Sequence, residues 1–149
     1  MEKSPFQCKV RGVVLDGSRV LMCELARPDA KFWCLPGGTL EEGETLRDGL
    51  AREMVEELGV VPDIGPLLSA QEFFSSDGRH VLDFWFLIRN AADYRNLDLS
   101  KATHGFEHTA VEFLDLETFA GDFRPKQLAA WAKVWAKEGL KFIAGPGLE

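Results

Sequence analysis

Glu53, Glu56 and Glu57 lie three and four residues apart in a stretch with no proline, so a helix through them would carry three carboxylates on one face. Like charges four apart cost an exposed helix roughly 0.2–0.5 kcal/mol, and no lysine stands within helical reach of the Glu53/Glu57 pair to offset this. Clustered oxygen donors of this kind suit a hard divalent cation, Mg²⁺ or Mn²⁺. Taken alone, adjacent glutamates near a helix end describe only a solvated face. Their neighbours argue for more.

Upstream, Trp33-Cys34-Leu35-Pro36 runs into Gly37-Gly38, which predicts a strand followed by a tight loop able to bring backbone close to a cation or a phosphate. Arg52 follows Asp48 by four residues and precedes Glu56 by four, a spacing that by itself suggests a surface pair with either. The elements that must position these groups can be read from the same segment. Leu46, Leu50, Met54 and Leu58 recur every four residues and Gly59 follows, so Thr45 to Leu58 is expected as an amphipathic helix with its leucine stripe against a core.

From Gly38 to Val60 the residues Gly38, Glu44, Arg52-Glu53-Met54-Val55-Glu56-Glu57-Leu58-Gly59-Val60 fit the pattern G-x5-E-x7-R-E-U-x-E-E-x-G-U, with U a bulky aliphatic residue, and in this the chain resembles the Nudix hydrolases. The resemblance implies metal ligation by Glu53, Glu56 and Glu57, with the Gly38 carbonyl as a further ligand. It implies an ion pair between Glu44 and Arg52 that orients the helix. The implied reaction is hydrolysis of a nucleoside diphosphate linked to another group. The family varies in its general base, which leaves two candidates: Glu53 inside the box, and Glu107 on the segment before the strand-like run Ala110 to Leu114. Glu112 alternates within that run and reads as a solvated sheet residue.

The chain has 149 residues, 46% of them hydrophobic, and a net charge of −7, which fits one Nudix domain over residues 1–149 with an adequate core. An acidic chain would repel a diphosphate unless a cation intervened, and acidity with scattered Lys and Arg speaks against general nucleic-acid binding. No apolar run approaches 18 residues and the first residues lack the apolar segment of a leader, so a cytoplasmic protein with no membrane association is expected. Cys8, Cys23 and Cys34 sit in apolar runs and read as buried reduced thiols. His104 and His108 are four apart, but the loop-like context of Gly105 and the lack of a nearby third ligand weigh against a zinc pair. Arg11, Arg27 and Lys31 are the cations best placed before the box to meet a phosphate, with exposed solubilising charges as the plainer reading.

Elsewhere, Phe6 to Leu15 and Arg19 to Leu25 flank Asp16-Gly17 as one hairpin, and Leu67 to Phe74 and His80 to Ile88 flank Ser75-Ser76-Asp77-Gly78 as a second. Residues 90–108 lack periodicity, the run from Asp115 to Phe119 is expected as a short capped helix, and Pro125 should open a final helix presenting Leu128, Trp131, Ala132 and Trp135 and closing near Gly139. Strands on both sides of a central helix with a second helix at the end give an α/β fold, in agreement with the mixed sheet in an α/β/α sandwich that the resemblance implies. Phe73, Phe74 and Trp85 offer ring faces for a base but, like Trp33, are expected mainly in the core. Three nucleotide-derived substrate classes stay open: nucleoside triphosphates, including oxidised ones, nucleotide sugars and ADP-ribose-like molecules. A noncatalytic nucleotide sensor and an acidic scaffold are the rival readings, and a homodimer is in keeping with the resemblance.

Overall fold

The computed structural model describes residues 5–148, with the side chain of Phe106 left aside. Its central helix, α1 (Leu46–Leu58), forms where the leucine periodicity places it. Thr45 caps its start, the hydroxyl accepting the Asp48 N–H at 3.1 Å, and Gly59 ends it with φ 74°, its N–H donating to the Val55 carbonyl. Leu50, Met54 and Leu58 are fully buried.

The strands are β1 (Phe6–Val13), β2 (Leu15–Asp16), β3 (Arg19–Ala26), β4 (Lys31–Cys34), β5 (Gly37–Thr39), β6 (Ile64–Phe74), β7 (His80–Ile88), β8 (Ala110–Leu114) and β9 (Ile143–Ala144). They make a mixed five-stranded sheet in the order β5-β1-β7-β6-β9 and a four-stranded sheet in which β3 pairs with β2, β4 and β8. The first predicted hairpin is only partly formed. Only Leu15 and Asp16 fold back, onto Val20 and Arg19, while β1 runs parallel to β7 from Phe6↔His80 to Val13↔Leu87. The physical reason lies at Val13-Val14: both are fully buried, which breaks the two-residue alternation and marks where the chain leaves one sheet for the other. The second hairpin forms as expected between β6 and β7, and β6 starts earlier, at Ile64.

Two further segments depart from expectation. Asp115 to Phe119 makes a single turn, with the Asp115 carboxylate accepting the Glu117 N–H and its carbonyl accepting the Phe119 N–H. The final helix α2 (Leu128–Glu138) begins after Pro125, because the preceding residues form a turn in which Leu128 donates to the Pro125 carbonyl. Its Leu128, Ala132 and Trp135 are buried and Trp131 is half-buried. Residues 90–108 carry three short 3₁₀ turns, Ala91–Tyr94, Leu99–Lys101 and Gly105–Glu107.

Core residues separate by face. Val20, Met22, Leu68 and Trp85 pack with α2, whereas Leu21, Cys23, Phe86 and Ile88 pack with α1. Alternate residues of β3 and β7 thus serve opposite layers, which is the expected α/β/α arrangement. No helix among the described residues is long and apolar enough to cross a membrane.

Candidate active site

Arg52 organises the acidic face of α1. Its Nε donates to Glu44 Oε2 at 2.8 Å and Nη2 to Glu44 Oε1 at 2.9 Å, a bidentate grip across the loop before the helix. Nη1 donates to Glu53 Oε1 and to Glu56 Oε2, both at 3.1 Å, and Nη2 also reaches the Thr39 carbonyl at 3.2 Å. Asp48 has no part in this; its backbone N–H serves the helix cap instead. The paired guanidinium and the Glu41 N–H hold the Glu44 carboxyl down at about 2.

Glu53 shows the opposite behaviour. Burial raises its pKa, the charge of Glu57 raises it further, and Arg52 offsets this only in part. Its carboxylate lies against the glycine loop: a Cβ placed on Gly38 would come 2.5–2.6 Å from the Glu53 carboxylate atoms, so no other residue fits there without displacing it. Gly59 meets a similar demand at the other end of α1, where a Cβ would lie 3.0 Å from Lys101, in addition to its positive φ.

Glu57 turns inward. It is 4% exposed, and its Oε2 accepts the Gly37 N–H at 3.1 Å. The three glutamates therefore share a face but not a point: Glu53 and Glu56 meet at Arg52, and Glu57 has its own donor. Among the described residues the one group of three His, Cys, Asp or Glu ligand atoms within 4.8 Å of one another is Cys23, Glu57 and His108. His104 is not in this group, so the two histidines do not act as a pair, but His108 does have other donors beside it. The missing partners come from β3 and α1, far away in sequence.

The unpatterned connection is tied to the site. The His104 N–H donates to the Glu56 carbonyl at 2.6 Å, and its Nδ1 stands 3.1 Å from Glu56 Oε2. Tyr94, 1% exposed, anchors the same connection through its hydroxyl, which donates to the Val60 carbonyl. Glu107 sits exposed in the last 3₁₀ turn, between the two histidines. Sequence spacing gave no sign of these contacts beyond the pair of histidines, whose four-residue interval belongs to a turn and not to a helix.

Other candidates fall outside the cluster or into the interior. Arg11 is no solubilising charge: it is largely buried, donates to the Leu35 carbonyl at 3.1 Å and lies 3.7 Å from Asp83. Arg27 is exposed, and Lys31 pairs with Glu24. Trp33 and Trp85 are core, but Phe73 and Phe74 are exposed, Phe74 stacking on His80 at 4.8 Å. Glu112 is exposed, as sheet alternation predicts, and all three cysteines are unbridged. A cavity of about 530 Å³ between β8 and the connection is lined by Leu21, Tyr94, Arg95, Val111 and Phe113 among others, and none of the box carboxylates opens onto it.

Glu53, Glu56, Glu57 and the Gly38 carbonyl would offer only oxygen donors, three of them anionic carboxylates, and such a set fits Mg²⁺ or Mn²⁺. A Cβ on Gly38 would collide with the Glu53 carboxylate, so glycine at this position is what lets that carboxylate seat against the loop.

The family described as the NUDIX domain matches residues 6–138. An uncharacterised Nudix hydrolase of Bacillus subtilis is 33% identical over 82 residues, which cover 54% of this chain and 52% of that protein. An ADP-ribose pyrophosphatase of Methanocaldococcus jannaschii is 31% identical over 81 residues, covering 53% and 48%. The chain thus spans about half the length of these curated relatives. A MutT Nudix hydrolase from Burkholderia pseudomallei has the same fold, with a TM-score of 0.70 at 20% identity over 87% of this chain and 98% of that one.

Proposed function

Because this chain belongs to the NUDIX domain family, we propose that it is a metal-dependent pyrophosphohydrolase that cleaves the diphosphate linkage of a nucleoside diphosphate joined to another moiety. The observation that carries the reading is the Arg52 hub, which ties Glu44 from the loop before α1 to Glu53 and Glu56 on the helix, with Glu53 against Gly38.

Glu53, Glu56, Glu57 and the Gly38 carbonyl would hold Mg²⁺ or Mn²⁺. When bound, the cation supplies charge neutralisation for the diphosphate and acidifies a water. The chain's own residues do the rest. Arg52 and Glu44 orient the helix, and the Gly37 N–H holds Glu57 through Oε2, which leaves its Oε1 to join Glu53 and Glu56 at the cation. Two groups are candidates to take the proton of an attacking water. Glu53 has an affinity for protons raised by burial and by Glu57, and Glu107 is exposed on a connection whose neighbouring His104 already meets Glu56. A pH–rate profile of Glu53→Gln beside Glu107→Gln assigns the role, since only loss of the base removes the acidic limb.

The substrate is proposed within three classes: nucleoside triphosphates, nucleotide sugars and ADP-ribose-like molecules, the last being what the Methanocaldococcus relative is named for. A panel of these with Mg²⁺ and Mn²⁺, scored for inorganic pyrophosphate against nucleoside monophosphate, tests the reading. Turnover that collapses in Glu56→Gln and Glu57→Gln with the fold intact supports it. Metal-dependent nucleotide binding without turnover across the panel would favour a sensor. We also propose a cytoplasmic protein that assembles as a homodimer, which light scattering on the purified chain tests.

A further inference from the structure

His108 presents an unusual buried group. Its side chain is 5% exposed, and among the described residues neither Nδ1 nor Nε2 has a hydrogen-bond partner. Nε2 stands 3.3 Å from Glu57 Oε2 without the alignment of a hydrogen bond. Leaving a buried polar group unsatisfied is costly, on the order of 1–3 kcal/mol, so an imidazole in this position calls for a partner.

The third wall is a thiol. Cys23 on β3 is fully buried, and its Sγ lies within 4.8 Å of both the Glu57 and His108 ligand atoms. A sulfur, an imidazole nitrogen and a carboxylate oxygen form a donor set quite different from the oxygens of the box: Zn²⁺ and its relatives bind such mixed sets, and Mg²⁺ does not favour them.

The geometry is close to what such an ion needs. With Zn–N and Zn–O bonds of about 2.0–2.1 Å, tetrahedral ligand atoms sit roughly 3.3–3.5 Å apart. The Glu57–His108 edge already has that length, at 3.3 Å. The sulfur lies within 4.8 Å of the other two ligand atoms and so needs to close in by no more than about an ångström, and solvent would supply the fourth ligand of an open site.

We propose that Cys23, Glu57 and His108 form a second, inner metal site that takes a thiophilic divalent cation of the Zn²⁺ type. Binding exchanges the Cys23 thiol proton for the metal, giving a metal–thiolate bond and one proton released to solvent. Because Glu57 belongs to both donor sets, occupancy of the inner site withdraws it from Glu53 and Glu56, so Zn²⁺ inhibits the Mg²⁺-dependent reaction. The inhibition rests on the function proposed above; the binding does not.

The test uses the whole chain with a non-thiol reductant, and Co²⁺ and Zn²⁺ as probes. One equivalent of Co²⁺ should give a near-ultraviolet thiolate-to-cobalt absorption that Zn²⁺ displaces. Cys23→Ala should abolish it and Cys34→Ala should retain it. His108→Phe, which fills the space without ring nitrogens and lies on the connection, should weaken Zn²⁺ binding by more than about tenfold. No absorption in the parent chain, or an absorption kept in Cys23→Ala, overturns the site. In assays with Mg²⁺, Cys23→Ala should keep its turnover while needing at least tenfold more Zn²⁺ for inhibition, and equal sensitivity would overturn the shared-ligand mechanism. If the parent chain hydrolyses nothing on the panel, the functional reading falls while the cobalt spectrum still decides the site.

Discussion

Arg52 and Glu44 are joined by two parallel hydrogen bonds, Nε to Oε2 at 2.8 Å and Nη2 to Oε1 at 2.9 Å, which tie the loop before α1 to the middle of that helix. A guanidinium fork matches a carboxylate in a way an ammonium cannot. Arg52→Lys should therefore lower kcat substantially, by about 100-fold if the carboxylates shift by an ångström, with a smaller effect on KM. Steady-state kinetics on the best substrate of the panel checks this, and an unchanged kcat would remove Arg52 from the role of positioning residue.

The same pair sets a pH dependence of stability. Glu44 has its pKa lowered to about 2 in the folded chain by the hydrogen bonds from Arg52 and the Glu41 N–H. A carboxylate depressed on folding contributes stability above its unfolded value of roughly 4.3, and that contribution is lost as the pH falls toward its folded value. The Tm difference between the parent chain and Glu44→Gln should thus be full at pH 6 and shrink steadily toward pH 2. A difference that stays constant across this window would contradict the assignment.

Glu53 should behave in the reverse sense. Its pKa is raised by burial and by Glu57, so its ionised form costs stability at neutral pH. Metal-free Glu53→Gln is expected to melt higher than the parent at pH 7, with the gain vanishing as the pH drops below the carboxylate range. A lower Tm at pH 7 would mean that the bond to Arg52 outweighs the repulsion.

Gly38→Ala puts a methyl group 2.5–2.6 Å from the Glu53 carboxylate atoms, closer than van der Waals contact allows. The carboxylate must move, and turnover should fall by about 100-fold, as a misplacement of an ångström does elsewhere. Circular dichroism should remain that of the parent. Full activity in this variant would show that the loop and Glu53 do not act together.

Met54 supports the site from beneath. It is fully buried on the stripe that seats α1 against β1 and β7, next to Gly12 and Ile88. Met54→Ala should cost about 2–5 kcal/mol in chemical denaturation, with specific activity retained by the folded fraction. A loss below 1 kcal/mol would argue that the helix is held mainly by its polar contacts.

Sequence alone determined the features that are local in the chain. The helix with its stop at Gly59, the face shared by Glu53, Glu56 and Glu57, and the second hairpin all follow from periodicity and turn residues, because neighbours within a few positions dictate them. Where Val13 and Val14 are both buried, the pattern ceased to be informative: whether a strand pairs with the next segment or with one far along the chain depends on competition among partners, and β7 took β1 from β3. Tertiary structure alone decided the surroundings of the carboxylates. It sent Glu57 to Gly37 and His108, set Cys23 beside them, laid the 90–108 connection over Glu56 through His104, and drew Arg11 inside toward Asp83. These contacts join residues from separate elements, and no spacing along the chain encodes a distance that only the packing of β3, α1 and the connection creates.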